Sequence, residues 1–237
     1  MNDLTAHEKA QLARLCLEIL GEKNLVIEQT TDFARIPGLI DGLGKTYLTR
    51  ELSPAYNDFK TRDSFWLLMK HQDPKSGEET VVGMIGCRCD DLSGERVKDF
   101  LAGQLGRLYG VDGREAVEPD HYPPVMDRMS GKIVSVGDFY MNANFRGSEK
   151  FPKRALVFLL YTYASIEWKF DWLYAMIRKQ HADIGFITAY CGAVSYPACW
   201  FWKDAPAHRD DTDYFVAIDR HDYAYLTRLF LLRPEIF

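Results

Sequence analysis

The residues whose types and spacing suggest chemistry fall in one run, Val136–Leu156, VGDFYMNANFRGSEKFPKRAL. Its first part reads as a strand and its last part opens a long helix, with a short loop between them. Such a loop presents unpaired backbone N–H groups and the positive end of the helix dipole. Arg146, Lys150, Lys153 and Arg154 crowd the same helix entrance. Cations there oppose the dipole by about 0.3–1 kcal/mol each at a surface, and a bound polyanion reverses the sign of that cost. Phosphate is the matching chemistry, held by N–H groups and arginine forks. Four basic residues in nine also suit an ordinary solvated face, and spacing alone leaves both readings open.

The elements that must position this run follow from local patterns. Thr5 with Glu8 forms a capping box, and Leu12, Leu15, Cys16, Ile19 and Leu20 recur at helical spacing up to a stop at Gly21. Leu25–Thr30 reads as a strand, and Ile36–Tyr47 as a helix with Pro37 in its first turn. Ser64–His71 and Thr80–Cys89 form a hairpin around Asp-Pro-Lys-Ser-Gly. A helix over Leu92–Gly110 and an irregular proline-bearing loop over Asp112–Ser130 come next.

Lys132–Met141 is then a strand, Phe151–Trp168 a helix and Asp171–Ile177 a strand. Gln180–Cys191 reads as a helix, Ala198–Trp202 and Tyr214–Ile218 as strands, and Asp222–Leu232 as a closing helix. Hairpins imply antiparallel pairing, and the strand–helix–strand unit from Lys132 to Ile177 implies one parallel crossover. The fold class is therefore α/β (α+β): a mixed, mostly antiparallel central sheet with helices on both faces. The expected organisation is one domain over residues 1–237, with an added N-terminal helix at about 5–20 and an insertion at about 92–130.

Composition narrows the function. The chain has 237 residues, 47% of them hydrophobic, and a net charge of −5. A chain of this length can bury roughly 70–75% of its unfolded surface without staples. The negative balance gives no global field for nucleic acid, so none is expected as a partner. No apolar stretch reaches membrane-span length, and the first residues do not read as a signal peptide. A membrane partner is not expected, and the location expected by default is cytoplasmic. The five cysteines, Cys16, Cys87, Cys89, Cys191 and Cys199, have no metal-ligand spacing and read as small apolar residues, so the expected metal is none. Dinucleotide, P-loop and hydrolase-elbow fingerprints are missing.

Met-Asn-Ala-Asn-Phe-Arg-Gly at 141–147, after a strand and before a long helix, resembles the acyl-CoA loop of the GNAT acyltransferase superfamily. That pattern is roughly Val-x-Pro-x-Tyr-Arg-Gly-x-Gly-x-Gly/Ala. Met141, Ala143 and Phe145 stand for its Val, Pro and Tyr, and Arg146 and Gly147 match it directly. The element order over about residues 25–218 is also similar to the family's core: strand, helices, hairpin, central strand, cofactor helix, strand, helix, closing hairpin. The chain departs at Glu149 and Phe151, where the family has small residues that let backbone approach a pyrophosphate. Two readings follow: a reshaped loop compensated by Lys150 and Lys153, or weakened cofactor binding.

The resemblance implies a divergent N-acyltransferase of this type. It would move an acetyl or other acyl group from acetyl-CoA or another acyl-CoA to the amine of a small-molecule acceptor in a ternary complex. Cofactor contacts fall on Phe139, Tyr140, Met141, Arg146, Gly147, Ser148, Lys150, Phe151 and Lys153. A base at Asp138 and an acid at Tyr190 complete the implied catalytic pair, with His71 and His181 as other bases and Tyr196 as a second acid. The aromatic run Tyr196–Trp202 borders an acceptor pocket or is core beneath a loop. Two alternatives stay open: a long-chain N-acyl amino acid or acyl-homoserine lactone-type synthase, and a non-catalytic CoA- or nucleotide-binding module on the same fold. The acceptor's identity and the choice between monomer and homodimer are not legible.

Overall fold

Thr5 and Glu8 do cap the first helix, α1 (Ala6–Gly21): each side chain bonds the other's backbone N–H. The computed structural model describes residues 3–112, 114–146, 152–190 and 193–236. The strands are β1 (Leu25–Thr30), β2 (Ser64–Gln72), β3 (Glu79–Asp91), β4 (Lys132–Met141), β5 (Trp172–Ile177), β6 (Val194–Tyr196) and β7 (Tyr214–Asp219). They form a seven-stranded sheet in the order β1-β2-β3-β4-β5-β7-β6. β1 with β2, β2 with β3, β5 with β7 and β6 with β7 pair antiparallel, while β4 and β5 pair parallel. The remaining helices are α2 (Ile36–Leu43), α3 (Val97–Tyr109), α4 (Lys153–Glu167), α5 (Lys179–Asp183), α6 (Phe186–Tyr190) and α7 (Arg220–Leu232).

The chain divides into two compact units. The first comprises Met1–Arg88, Val136–Lys169 and Tyr223–Phe237. In it α1 packs on α4, and the Lys9 ammonium caps the Ser165 carbonyl at 3.0 Å. Every residue from Ala155 to Thr162 is buried, so these two turns of α4 are covered on all sides rather than along one stripe. Ile36, Leu43, Leu52, Trp66, Leu68 and Met84 make a separate core under the segment that follows α2. The second unit comprises Cys89–Ser135 and Phe170–Asp222. Its core gathers α3, Val117, Met126, Trp200, Trp202 and Phe215.

Four expectations shift. α2 stops at Leu43 rather than Tyr47, because Gly44 takes a left-handed conformation (φ +73°) and ends the helix there. Gly21 is the last helical residue, and the left-handed position falls on Asn24. The helix expected from Gln180 is broken into α5 and α6 by Gly185 at φ +84°. The strand expected at Ala198–Trp202 is displaced to β6, upstream of Pro197, which has no N–H to give a ladder. Trp202 makes an isolated bridge to Val117, and Cys199, Trp200 and Trp202 are buried in the core. Three of the four later residues of that aromatic run follow the core alternative; Phe201 is exposed.

Candidate active site

β4 carries a left-handed residue within the strand itself. Asp138, within the strand, has φ +52°. The left-handed region costs an L-residue roughly 1–2 kcal/mol, with Asp and Asn tolerating it best. Its carboxylate supplies the compensation. Lys45 Nζ lies 2.8 Å from Oδ1. The Thr49 backbone N–H donates to both oxygens at 3.1 Å, and the Thr49 hydroxyl donates to Oδ2 at 2.8 Å. The Asp138 and Lys45 side chains are 0% and 8% exposed. Charges this deep are tolerable when paired and hydrogen-bonded, as these are.

The same strand fastens the segment after α2 at two more points. A side chain on Gly137 would put its Cβ 3.0 Å from Leu52 Cδ1, so glycine admits that leucine. Two residues on from Asp138, the Tyr140 hydroxyl donates to the Gly44 carbonyl at 2.7 Å. The Tyr140 ring is shared by two cations. Lys45 Nζ lies 5.7 Å from its centroid and the Arg146 guanidinium 4.9 Å. Lys45 is also 4.6 Å from the Tyr47 ring. Such contacts contribute about 0.5–2 kcal/mol, more when dry.

β4 then runs into the loop toward α4. Arg146 donates from Nε to the Met141 carbonyl at 2.8 Å, which orients an exposed guanidinium at the strand's end. The Phe145 ring lies 5.0 Å from that of His71, so this histidine does sit beside the loop. Among the described residues, α4 begins after Pro152 with no side-chain cap and no acidic residue in its first turn, while Lys153 occupies its first position. The first N–H groups of α4 thus have no capping side chain among the described residues. Arg154 is turned elsewhere: it donates to the Ile236 carbonyl and lies 6.0 Å from the Phe230 ring. Gly147, Ser148, Lys150 and Phe151, together with Glu149, lie outside the described residues.

Of the remaining expected site residues, Phe139, Tyr140 and Met141 are on the last turnless stretch of β4. Tyr190 is buried at the end of α6 in the second unit, 5.9 Å from the Phe186 ring. His181 lies 3.0 Å from Arg178. Lys45, Tyr47 and Thr49 were missed by sequence reasoning. Their one signal is the glycine before Lys45, which marks a helix end but says nothing of a buried ion pair. Among the described residues no group of three or more metal-ligating side chains is assembled, and no helix is long and apolar enough to cross a membrane.

No family model and no curated protein matches this chain. Solved structures do. NAA60 of Arabidopsis thaliana in complex with acetyl-CoA matches at 10% identity and a TM-score of 0.47, covering 82% of this chain and 98% of that one. A spermidine N-acetyltransferase SpeG chimera from Vibrio cholerae and hSSAT matches at 9% and 0.46, covering 85% and 99%. FeeM, an N-acyl amino acid synthase from uncultured soil microbes, matches at 11% and 0.37, covering 94% and 89%. At these identities and scores, the functional reading rests on the chain's own residues.

Proposed function

We propose that this chain is an acyl-CoA N-acyltransferase acting on the amine of a small molecule. The observation that carries the reading is an exposed, oriented Arg146 at the exit of β4, with a start of α4 that among the described residues has no side-chain cap, no acidic residue in its first turn and Lys153 at its first position. That combination suits the phosphates of a nucleotide-bearing donor. The motif at 141–147 specifies which donor, by its resemblance to acyl-CoA loops.

In this reading Arg146, Lys153 and the first N–H groups of α4 hold the phosphates. The backbone of Phe139–Met141 lies along the donor arm and orients its carbonyl. The acyl donor supplies a thioester: the acceptor amine forms a C–N bond, the C–S bond breaks, and the thiolate leaves. The amine proton goes to a base, and a water returns a proton to the thiolate. His71 and water are the bases open to this scheme, because the Asp138 carboxylate is already engaged by Lys45 and Thr49.

Thermal stability with acetyl-CoA and with a C12 acyl-CoA tests the reading. A ligand at about 100 times its Kd stabilises the folded state by about 2.7 kcal/mol. The expected result is a clear rise in Tm for the wild type that Arg146→Ala reduces. No rise at millimolar ligand, or equal rises in both proteins, overturns it. A larger rise with the C12 donor would point to long-chain transfer.

A further inference from the structure

We infer that Asp138, Lys45 and Thr49 are positioning residues that hold β4 in a left-handed kink, and that this kink sets the backbone along which the donor lies. The last clause rests on the function proposed above. The first rests on geometry alone.

A positive φ inside a strand persists only where its surroundings over-determine it, and such outliers cluster at functional sites. Here the surroundings are one short segment. Lys45 and Thr49 make all four polar contacts described at the Asp138 carboxylate. Gly44 and Leu52, from the same segment, meet Tyr140 and Gly137 on either side of the kink. The segment Gly44–Leu52 is thus fastened at three places along Gly137–Tyr140. Immediately past the kink come Phe139–Met141, whose last carbonyl orients Arg146. Any rotation at Asp138 would swing both the proposed donor-facing backbone and the acceptor of the Arg146 bond.

This assigns Asp138 a role other than taking a proton. A carboxylate that accepts from an ammonium, a hydroxyl and a backbone N–H would have to break the fastening to serve as a base. Glycine adopts φ near +50° freely, whereas alanine does not. Asp138→Gly and Asp138→Ala both remove the carboxylate, and they differ in what they ask of the backbone.

The experiment measures acetyl-CoA affinity by calorimetry, and thiol release from acetyl-CoA, for wild type, Asp138→Ala, Asp138→Gly and Lys45→Met. Circular dichroism selects a temperature at which each is folded. The expected result is at least tenfold weaker binding for Asp138→Ala, recovery to within about threefold of wild type for Asp138→Gly, and a value between for Lys45→Met. Thiol release should follow the same order. Equal, wild-type-like binding in all folded variants overturns the inference. Wild-type binding with release lost equally in the Ala and Gly variants also overturns it, and returns Asp138 to the role of base. If wild type binds neither acetyl-CoA nor a C12 acyl-CoA, the proposed function fails instead. The kink is then judged by Tm, with Asp138→Gly expected above Asp138→Ala and the reverse order refuting it.

Discussion

Among the described residues each unit buries one aspartate, and the two are kept in opposite ways. In the first unit, Asp138 receives an ammonium at 2.8 Å and the two donors of Thr49. In the second, Asp213 is 1% exposed, yet neither oxygen finds a hydrogen-bond donor among the described residues. Its compensation is an ion pair with Arg209, four residues earlier, at 3.6 Å. Burial pushes the Asp213 carboxyl up to about 6. Arg209 and Arg178 pull the other way, while Asp210 adds to the rise. The indole N–H groups of Trp200 and Trp202 in the same core are likewise buried without an acceptor among the described residues. A carboxylate fastened by several donors can hold a strained backbone; one left nearly bare is a group poised to take up a proton.

The largest effect should come from breaking the fastened pair. Lys45→Met keeps the stem's volume but leaves Asp138 with the donors of Thr49 and no countercharge. Removing one partner of a buried ion pair costs about 3–5 kcal/mol. Urea denaturation at pH 7 should show a loss near the lower end of that range, because the Thr49 bonds survive. A loss under 1 kcal/mol would mean that water reaches the carboxylate and that the two aspartates differ less than their partners suggest.

The bare carboxylate predicts a pH dependence of the less usual sign. The folded chain holds the Asp213 proton up to about pH 6, against 3.8 for the unstrained group. Between those values the folded state binds more protons than the unfolded one, so this group's contribution falls as pH rises. Across the full window the difference is roughly 3 kcal/mol. Lowering the pH from 7 to 4.5 should therefore stabilise the second unit through this group. Asp213→Asn should remove that slope, and equilibrium denaturation at half-unit pH intervals would show it. An unchanged slope in the variant would assign the titration elsewhere and make Asp213 a carboxylate whose pairing with Arg209 outlasts this pH range.

The contrast was half legible in the sequence. Periodicity located β4 to the residue, and capping chemistry located α1, because both signals are local. The motif at 141–147 stands out for the same reason, since its residues are contiguous. Asp138 could be singled out by position, but not its partners. Lys45 and Thr49 are 93 and 89 residues earlier (138 − 45 and 138 − 49), and nothing in a single chain pairs residues so far apart. Asp213 drew no notice, since a lone aspartate after a polar loop reads as solvated. The run Ala198–Trp202 misled for a related reason. Aromatic residues suit a strand and a core equally, and Pro197 with a left-handed Ala198 decided for the core.

The smallest effect sharpens the comparison from outside both cores. Glu8 is a carboxylate as well partnered as Asp138 but set at the surface: Thr5 N–H and hydroxyl at 2.7 and 2.8 Å, and Arg228 at 2.7 Å. The Arg228 hydrogen bond, with that from the Thr5 backbone, holds its carboxyl down at about 2. The sign is the reverse of Asp213: its stabilisation is present above pH 4.5 and is lost as pH falls toward 2. Thr5→Ala removes the N-cap and one of these donors, and caps contribute about 1 kcal/mol. The expected result is a loss of that size at pH 7, shrinking as pH falls through 4 toward 2. A loss as large as that of Lys45→Met would mean that docking of α1 on α4, not burial of charge, is what the first unit is most sensitive to.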